Sequence, residues 1–516
     1  MNLIRVNGAE PQNGLVPADT LEGIGARIVS QLFTGLYEYG ADGEIHPAML
    51  DRLDSADDRH YTVRLQPGWT FTDATAVTAH SYVDAWNYAA LSTNHQGQRS
   101  FFAPVQGYED VAADPPRATT LSGLTVLDDL TFTITLRAPD RDFPRSLGCL
   151  PARPLPRAFF ERGSHAFGQS PIGNGRYMLA GPDAWHHGQH LTAVANPDYR
   201  GPFRPRNDGL VFVFYDSLVT AHDDLRSGHL DVLDSIPDSL LSTRPGHRGR
   251  QTVTTPVALN CHLAIPCALP GFTGEEGRLR RAALSQAIDR PHLTSHVLHG
   301  ARSPARDFVG PAVPGGGVEL AGSGVLRFDP AAARALWAEA ERHAPLRETF
   351  TVAYHSSGGY DRWVTALCRQ VRDVLGIDVG TEVHPTFKSI RDRIARGDMR
   401  SAFRTGWRGD YPSQINFLDP LFTAGAPGNE VGYASERFET ALGRAKAARN
   451  PGEFTSWARR AQEILLEDLP VIPLWDHRHT GGLGEGVSAA FTWNGMPDYP
   501  HITKRAPRPS TIMQNA

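Results

Sequence analysis

A short segment at residues 403–413, FRTGWRGDYPS, combines two arginines, a tryptophan and an aspartate. Asp410 can pair with an ammonium group, and Arg404 or Arg408 can donate two parallel hydrogen bonds to a carboxylate. Trp407 can supply an apolar wall between the two charges. These residue types predict a site for a zwitterion, and a free peptide is a ligand that carries both charges.

The overall composition restricts the classes of protein that this chain can represent. It has 516 residues, of which 41% are hydrophobic and 21% are charged, an ordinary balance for a globular protein. Because a single core stops growing at about 250 to 300 residues, the length predicts several domains. The formal net charge is -5 and no long lysine and arginine cluster occurs, which argues against nucleic acid as the main partner.

Two further observations concern the membrane and the cysteines. No run of about 18 apolar residues occurs, and the first residues lack the basic stretch and apolar core of a signal peptide. Cys261 and Cys267 are near enough in sequence to form a small disulfide loop, and two buried free thiols are the alternative. No CxxC pair is present, so a structural zinc site is not expected.

Strand and helix patterns alternate along the chain. Residues 61–65 alternate apolar and polar side chains, which predicts a strand, and residues 124–136 predict two more. Apolar residues recur at helical spacing in 25–37, 78–90 and 330–342. This interleaving predicts an α/β fold.

Ten separated segments then form one pattern. In order and spacing they resemble the family 5 extracellular solute-binding proteins, which include the oligopeptide- and dipeptide-binding components of ABC importers. Examples are LFTGLYEYGADGEIHPAML, PIGNGRY, GWRGDYP and LPVIPLW. The segments are residues 7–11, 32–50, 61–86, 171–177, 196–202, 225–233, 278–290, 328–340, 406–412 and 469–475.

The resemblance implies a bilobed α/β fold of the periplasmic-binding-protein type, with two lobes, a hinge and an extra inserted domain. Such a fold captures a ligand by hinge closure. The domains expected from the resemblance are residues 1–35, 158–260 and 479–516 for lobe I, residues 36–157 for the inserted domain, and residues 261–478 for lobe II.

The resemblance also implies roles for individual residues. Asp410 matches an acidic residue that anchors the α-amino group of a peptide, and Arg404 resembles an arginine that meets the ligand carboxylate. Main-chain groups of Arg408, Gly409 and Asp410 are expected to pair with an extended peptide as an added strand would. Glu22, Gly23 and Ile24 resemble a second ligand-lining stretch of those proteins.

Two more positions complete the expected site. Tyr360 aligns with a histidine that some peptide binders use on the carboxylate side, and it can donate a hydrogen bond but brings no positive charge. His477 follows the strand pattern LPVIPLW, where it would line the cleft if its side chain points that way.

Each of these positions also has a purely structural interpretation. Asp410 can cap a backbone amide in a loop, Arg404 can form a structural ion pair, and Glu22 can be solvated before a helix. The HHxxH cluster at residues 186–190 can bind metal or lie on a solvated surface, and the surface alternative is favoured because no fourth ligand is visible nearby.

The function predicted from these observations is that of a solute-binding protein of an ABC importer, which captures oligopeptides or peptide-like zwitterions and delivers them to a permease. It is expected to be an extracytoplasmic monomer, either free or lipid-anchored, with no cofactor and no resident metal. The sequence contains no GxSxG, HExxH or GxxxxGK[ST] signature, so an enzyme is not predicted. The alternatives are a binding-protein fold recruited to a biosynthetic pathway, as a binder or an enzyme, and a carrier of nickel or another solute.

Overall fold

The fold is taken from a computed structural model that describes residues 2–236, 240, 251–356, 359–426 and 428–505. Two stretches used in the sequence analysis are only partly described. Residues 357 and 358, next to Tyr360, lie outside the described part, and so do residues 506–516, at the end of the predicted lobe I.

The strands and helices alternate, which confirms the predicted α/β class. The strands are β1 (Leu3–Gly8), β2 (Tyr37–Tyr39), β3 (Ile45–Pro47), β4 (Leu50–Asp54), β5 (His60–Leu65), β6 (Leu124–Asp128), β7 (Thr131–Thr135), β8 (Tyr177–Leu179), β9 (Trp185–His186), β10 (His190–Ala195), β11 (Gly209–Phe214), β12 (Val232–Leu233), β13 (Gln251–Ala264), β14 (Arg302–Pro304), β15 (Phe350–His355), β16 (Val379–His384), β17 (Ala402–Thr405), β18 (Val471–Leu483), β19 (Val487–Ser488) and β20 (Thr503–Lys504). The helices are α1 (Gly23–Leu32), α2 (Ala79–Ala90), α3 (Tyr108–Val111), α4 (Phe143–Ser146), α5 (Arg157–Arg162), α6 (Ser164–Gln169), α7 (Leu218–Ser227), α8 (Gly274–Ala287), α9 (Arg290–His292), α10 (Pro330–His343), α11 (Asp361–Leu375), α12 (Phe387–Ala395), α13 (Ile415–Phe422), α14 (Glu436–Lys446) and α15 (Pro451–Asp468). Within the described ranges, no helix is both long enough and apolar enough to span a membrane.

The chain divides into two compact units. Unit 1 consists of Met1–Thr255 and Thr480–Ala516, and unit 2 consists of Pro256–His479. The chain leaves unit 1 within β13 and returns to it within β18. The finer division of unit 1 into a lobe and an inserted domain stays a prediction.

Unit 1 contains two main sheets. One has the order β12, β1, β11, β10 and β8, with β1 parallel to both β12 and β11. The last two residues of β18 pair with β12. The other is antiparallel in the order β4, β5, β7 and β6. Alternate residues of β5, namely Tyr61, Val63 and Leu65, are buried in the core with Trp86 of α2, as expected from the period of two in a strand.

Helix α1 is shorter than the sequence predicts. The apolar spacing predicts a helix over residues 25–37, whereas α1 ends at Leu32. The amide of Asn174 accepts from the backbone N–H of Thr34 and donates to its carbonyl, each at 3.0 Å, so Thr34 cannot continue the helical pattern. The backbone N–H of Gly175 donates to the Leu32 carbonyl at 2.9 Å, and a Cβ atom on Gly175 would lie 2.3 Å from the Gln31 carbonyl oxygen. The PIGNGRY segment therefore ends the helix through contacts that are distant in sequence.

Unit 2 is built on the strand order β16, β15, β17 and β13. Strand β15 is parallel to β16 and β17, while β17 is antiparallel to β13. Helix α11 connects β15 to β16 and buries a stripe of residues at helical spacing, including Trp363, Leu367 and Val371. These side chains pack in the same core as Trp475 of β18.

Arg290 is buried in unit 2 without a carboxylate partner among the described residues. Its guanidinium donates to the carbonyls of Pro473 at 2.7 Å, Ser285 at 2.9 Å and Leu326 at 2.7 Å, and to the Ser285 hydroxyl at 2.9 Å. Burial lowers the pKa of Arg290 to about 9, so the group stays charged at neutral pH. A single side chain thus connects β18 to the end of α8 and to the loop before α10.

Replacing Arg290 with leucine should destabilise unit 2. The substitution leaves buried carbonyl groups without donors, which costs about 3 kcal/mol or more. Urea unfolding should show a lower midpoint for Arg290→Leu than for the parent protein. The matched control is Arg327→Gln, whose side chain is 70% exposed and pairs with exposed Glu319, and which should stay within about 0.5 kcal/mol. Equal midpoints for the two variants would contradict the structural role of Arg290.

Candidate functional site

The segment after β17 continues to follow β13 beyond the regular ladder. His262 pairs with Thr405 and Leu263 with Arg404. The backbone N–H of Asn260 then donates to the Trp407 carbonyl at 3.0 Å, and that of Gly409 donates to the Ala258 carbonyl at 2.8 Å. The path of the segment is therefore fixed by backbone pairing up to the residue before Asp410.

Gly406 allows this close approach. A Cβ atom on Gly406 would lie 2.3 Å from the Asn260 carbonyl oxygen, so any larger residue would push the segment away from β13. The glycine therefore serves the packing of two protein segments. Nothing in its surroundings requires a ligand to explain its small size.

Asp410 is held in place by Asn416, a residue in the first turn of α13. The side-chain oxygen of Asn416 accepts from the backbone N–H of Asp410 at 2.8 Å, and its amide nitrogen donates to the Asp410 carboxylate at 3.3 Å. The indole N–H of Trp407 also donates to the Asn416 oxygen, at 3.4 Å. Sequence reasoning missed Asn416, and an asparagine at the start of a helix, shortly after the aspartate, was the available signal.

The carboxylate of Asp410 combines exposure with a perturbed proton affinity. The residue is exposed, so a ligand can reach it. Burial nevertheless raises its pKa to about 6, while the Asn416 hydrogen bond and the charge of Arg408 oppose that rise. These two observations agree if surrounding protein removes much of the hydration while one side stays accessible.

Arg404 and Tyr360 are brought together. The guanidinium carbon of Arg404 lies 4.6 Å from the centroid of the Tyr360 ring, which is a cation–π distance. The ring of Tyr360 in turn meets His355 edge-on at 5.0 Å and Trp363 at 6.1 Å. The Nε atom of Arg404 is buried and has no hydrogen-bond partner in the described part of the chain.

Several histidines of unit 2 lie near these arginines. Burial, followed by the charges of Arg302 and Arg404, lowers the pKa of His477 well below its usual value. Burial and then Arg404 lower the pKa of His262 to about 3. Both imidazoles are therefore neutral at physiological pH, and the Nε2 atom of each is buried without a partner among the described residues.

Glu22 has a structural role that the sequence did not predict. It is the N-cap of α1, and its carboxylate accepts from the backbone N–H of Gly25 at 2.5 Å and from that of Gln12 at 3.2 Å. Gly23 and Ile24 form the first turn of that helix. All three residues belong to unit 1, whereas Arg404, Trp407, Arg408, Gly409, Asp410, Tyr360 and His477 belong to unit 2. Ligand contact by Glu22, Gly23 and Ile24 stays a prediction.

The HHxxH cluster does not converge on one point. The rings of His186 and His190 pack on each other at 4.7 Å between centroids, while the Nδ1 atom of His187 lies 2.8 Å from a carboxylate oxygen of Glu10. Among the residues that the structure describes, no three His, Cys, Asp or Glu side chains are arranged to hold a metal ion. Cys261 and Cys267 are both free thiols, so the disulfide alternative is not realised in this structure.

Comparison with known proteins places the chain in a family. The sequence model of the bacterial extracellular solute-binding proteins, family 5 Middle, matches residues 44–429. This match spans well over half of the chain, and the protein therefore belongs to the family 5 bacterial extracellular solute-binding proteins, as the motif resemblance predicts.

Individual relatives are distant in sequence but align over most of their length. The periplasmic oligopeptide-binding protein OppA of Salmonella typhimurium is 24% identical over 483 residues, which are 92% of this chain and 86% of the relative. The probable deoxycholate-binding periplasmic protein YgiS of Escherichia coli is 24% identical over 489 residues, with 92% and 88% covered. Haemophilus influenzae OppA, solved in complex with the peptide RPPGFSPFR, has a TM-score of 0.77 at 21% identity and 97% coverage of each chain. The structural likeness confirms the predicted fold class.

The effect of Asn416 on Asp410 can be measured directly. Asn416→Ala removes the amide that donates to the carboxylate, so the pKa of Asp410 should rise further above about 6. Carbon-detected NMR of the aspartate side chain over a pH titration would measure this shift. Asn429→Ala is the matched control, because Asn429 bonds the carbonyls of Thr423 and Tyr433, and it should leave the pKa of Asp410 near 6. An unchanged pKa in Asn416→Ala would contradict the assigned contact.

Proposed function

We propose that this protein is the solute receptor of an ABC importer and that it binds peptides or peptide-like zwitterions. The observation that carries the proposal is Asp410, a solvent-reachable carboxylate held by Asn416 and depleted of hydration by its surroundings. Such a group is suited to an ammonium ligand, because a fixed anion with little competing water gains more from pairing with a cation.

The other end of the ligand is assigned to Arg404. Its guanidinium is oriented by the Tyr360 ring, and its buried Nε atom has no partner among the described residues. A buried polar group without a partner is unfavourable, so a carboxylate that accepts from it would add a hydrogen bond without breaking another. Main-chain groups of Arg408, Gly409 and Asp410, together with Glu22, Gly23 and Ile24, are the proposed contacts for the ligand backbone.

The family and its named members support a solute receptor but do not determine its ligand. Family membership covers relatives whose names differ in ligand, from oligopeptides to deoxycholate, so the ligand class must follow from the residues of this chain. Deoxycholate has a carboxylate but no ammonium group, so it offers no cation to the Asp410 carboxylate. A zwitterion uses both Asp410 and Arg404. We place the receptor outside the cytoplasm, with membrane permease subunits as its partners, and assign it no catalytic step.

Exchanging Asp410 for asparagine tests the ammonium contact. The loss of a charged partner that a ligand desolvates costs about 2 kcal/mol or more, so alanine peptides of about two to five residues should bind Asp410→Asn at least about 30-fold more weakly. Isothermal titration calorimetry measures the dissociation constants. N-acetylated versions of the same peptides should bind the two proteins within about twofold of each other.

The control for this test is Asp392→Asn, an aspartate of α12 in unit 2 that pairs with Lys388 on the helix surface. It should bind free-amino peptides as the parent protein does. Equal affinity of Asp410→Asn and the parent for these peptides would refute the ammonium contact. If no peptide binds the parent protein, the peptide-receptor proposal fails as a whole.

Peptide affinity should also depend on pH in a defined direction. The pKa of Asp410 in the free protein is raised to about 6, and only the ionised carboxylate pairs with an ammonium group. Affinity should therefore be close to its maximum near pH 7 and decrease as the pH falls through 6. Well below pH 6 the decrease should approach about tenfold per pH unit. Titrations between pH 7 and 4.5 keep the ligand zwitterionic. Asp410→Asn should lack this decline, and a flat profile in the parent protein would contradict the role of Asp410.

A further inference from the structure

The turn that joins β9 to β10 in unit 1 brings two histidines together. His186 of β9 and His190 of β10 are directly opposite each other in the antiparallel pairing of these strands. Residues in this relation have neighbouring side chains on one face of the ladder. The centroids of the two imidazole rings are 4.7 Å apart, with 33° between the ring planes. We call His186 and His190 the imidazole pair; the proposed peptide contacts do not use it.

The separation of the two rings matches that of two imidazoles bound to one metal ion. An imidazole nitrogen lies about 2.0 to 2.1 Å from a bound Zn²⁺, and the ring centroid lies about 1.2 Å farther along the same line. Two such rings at coordination angles of about 90° to 110° therefore have centroids about 4.5 to 5.2 Å apart. The 4.7 Å of the imidazole pair falls within this range.

The orientation of the rings can adapt to an ion without moving their centres. Rotation about the Cβ–Cγ bond of a histidine leaves the ring centroid nearly in place and changes only the directions of Nδ1 and Nε2. This torsion is broad in proteins, so little strain opposes the rotation. The distance between the centroids is therefore the geometric condition for a shared ion, and the imidazole pair satisfies it.

The backbone that carries the imidazole pair is fixed on both sides. Strand β10 also pairs with β11, where His190 is opposite Val213. The backbone N–H of Gln189 closes the turn by donating to the His186 carbonyl at 3.0 Å, and Gly188 has a left-handed φ of 72°. An ion would therefore meet ligands whose backbone is already in position, which lowers the entropic cost of binding.

Glu10 holds the turn and engages the remaining histidine of the HHxxH cluster. Its carboxylate accepts from the Trp185 indole N–H at 3.0 Å and lies 2.8 Å from the Nδ1 atom of His187. In contrast, the rings of His186 and His190 form no hydrogen bond with any residue that the structure describes. The nitrogens of the imidazole pair are thus available to a ligand.

The surroundings of the imidazole pair determine the kind of site. His186 is exposed and His190 is half-buried, so an ion can reach both from solvent. No third His, Cys, Asp or Glu of the described ranges joins them, and the remaining coordination positions therefore fall to water. Imidazole suits Zn²⁺, Ni²⁺ and Cu²⁺, of which Cu²⁺ generally binds most tightly, whereas Mg²⁺ and Ca²⁺ prefer oxygen ligands.

We propose that His186 and His190 form a surface site for a divalent transition-metal ion, with Cu²⁺ bound most tightly and water completing the coordination. The site belongs to unit 1, whereas Asp410 and Arg404 belong to unit 2. It is independent of peptide binding and does not rest on the proposed function. A bound ion stabilises the turn between β9 and β10, because only the folded turn brings its two ligands together.

Unit 2 contains another pair of neighbouring histidines, which provides the matched control. The rings of His292 and His296 stack at 4.8 Å, with 19° between their planes. The Nδ1 atom of His296 lies 2.8 Å from the Ser295 hydroxyl, so one of its nitrogens is engaged. Both residues are in or directly after the short helix α9 and not in a sheet. We expect this pair to bind Cu²⁺ more weakly than the imidazole pair.

The experiment measures Cu²⁺ binding to the full chain without an affinity tag, at about pH 7.5, where an ordinary imidazole is neutral. In a calorimetric titration, His190→Gln should weaken the tightest site at least about tenfold, because a single imidazole cannot chelate the ion. His186→Gln should give the same loss, which guards against a folding defect in either variant. His296→Gln should leave the dissociation constant of the tightest site within about twofold of the parent value.

Electron paramagnetic resonance identifies the ligands of the tightest site. With Cu²⁺ below one equivalent, the spectrum of the parent protein should show coupling to two imidazole nitrogens, and His190→Gln should lose this signature while His296→Gln keeps it. Unchanged affinity and spectrum in His190→Gln would overturn the proposal. Loss of the tightest site in His296→Gln, or the absence of Cu²⁺ binding by the parent protein, would overturn it as well.

Discussion

The candidate site depends on the two-sided hydrogen bonding of one buried asparagine. Asn260 is 2% exposed, and its backbone N–H donates to the Trp407 carbonyl while its side-chain oxygen accepts from the Trp407 N–H at 2.9 Å. Its amide nitrogen donates to the Phe308 carbonyl at 2.9 Å. Because donor and acceptor are both engaged, the side chain has one orientation. Asn260 therefore fixes the backbone segment that carries Arg404, Trp407 and Asp410.

A second asparagine performs a comparable task for the charged groups. Asn416 orients Asp410 and contacts the indole of Trp407, so the carboxylate and its apolar neighbour share one anchor. Hydrogen bonds from neutral amides position a carboxylate without neutralising it. Unit 2 thereby holds the carboxylate of Asp410 at a defined place, together with the positive charge of Arg404.

Part of this arrangement can be predicted from the sequence. The helical spacing of α2 and α10 and the alternation in β5 indicate their elements because each signal is local. The premature end of α1 is not local, since it depends on Asn174, and the capping role of Glu22 depends on the backbone of Gly25. Residue types also pointed to Arg404 and Asp410 as candidate ligand contacts, and these roles stay predictions. The supporting roles of Asn260 and Asn416 were not predicted, because a neutral amide carries no charge that would distinguish it in the sequence.

The interrupted path of the chain through unit 1 has a consequence for biosynthesis. Tyr177 and Asn207 donate to the carbonyl of Tyr499, and β12 pairs with residues of β18 that follow the whole of unit 2. The core of unit 1 includes Phe491, Tyr499 and Ile502, and it stays incomplete while the ribosome is translating unit 2. Unit 2 is contiguous and has all of its residues before the last segment of unit 1 is synthesised. During vectorial synthesis unit 2 can therefore reach its native packing before unit 1, so the N-terminal part of the chain is the last to mature.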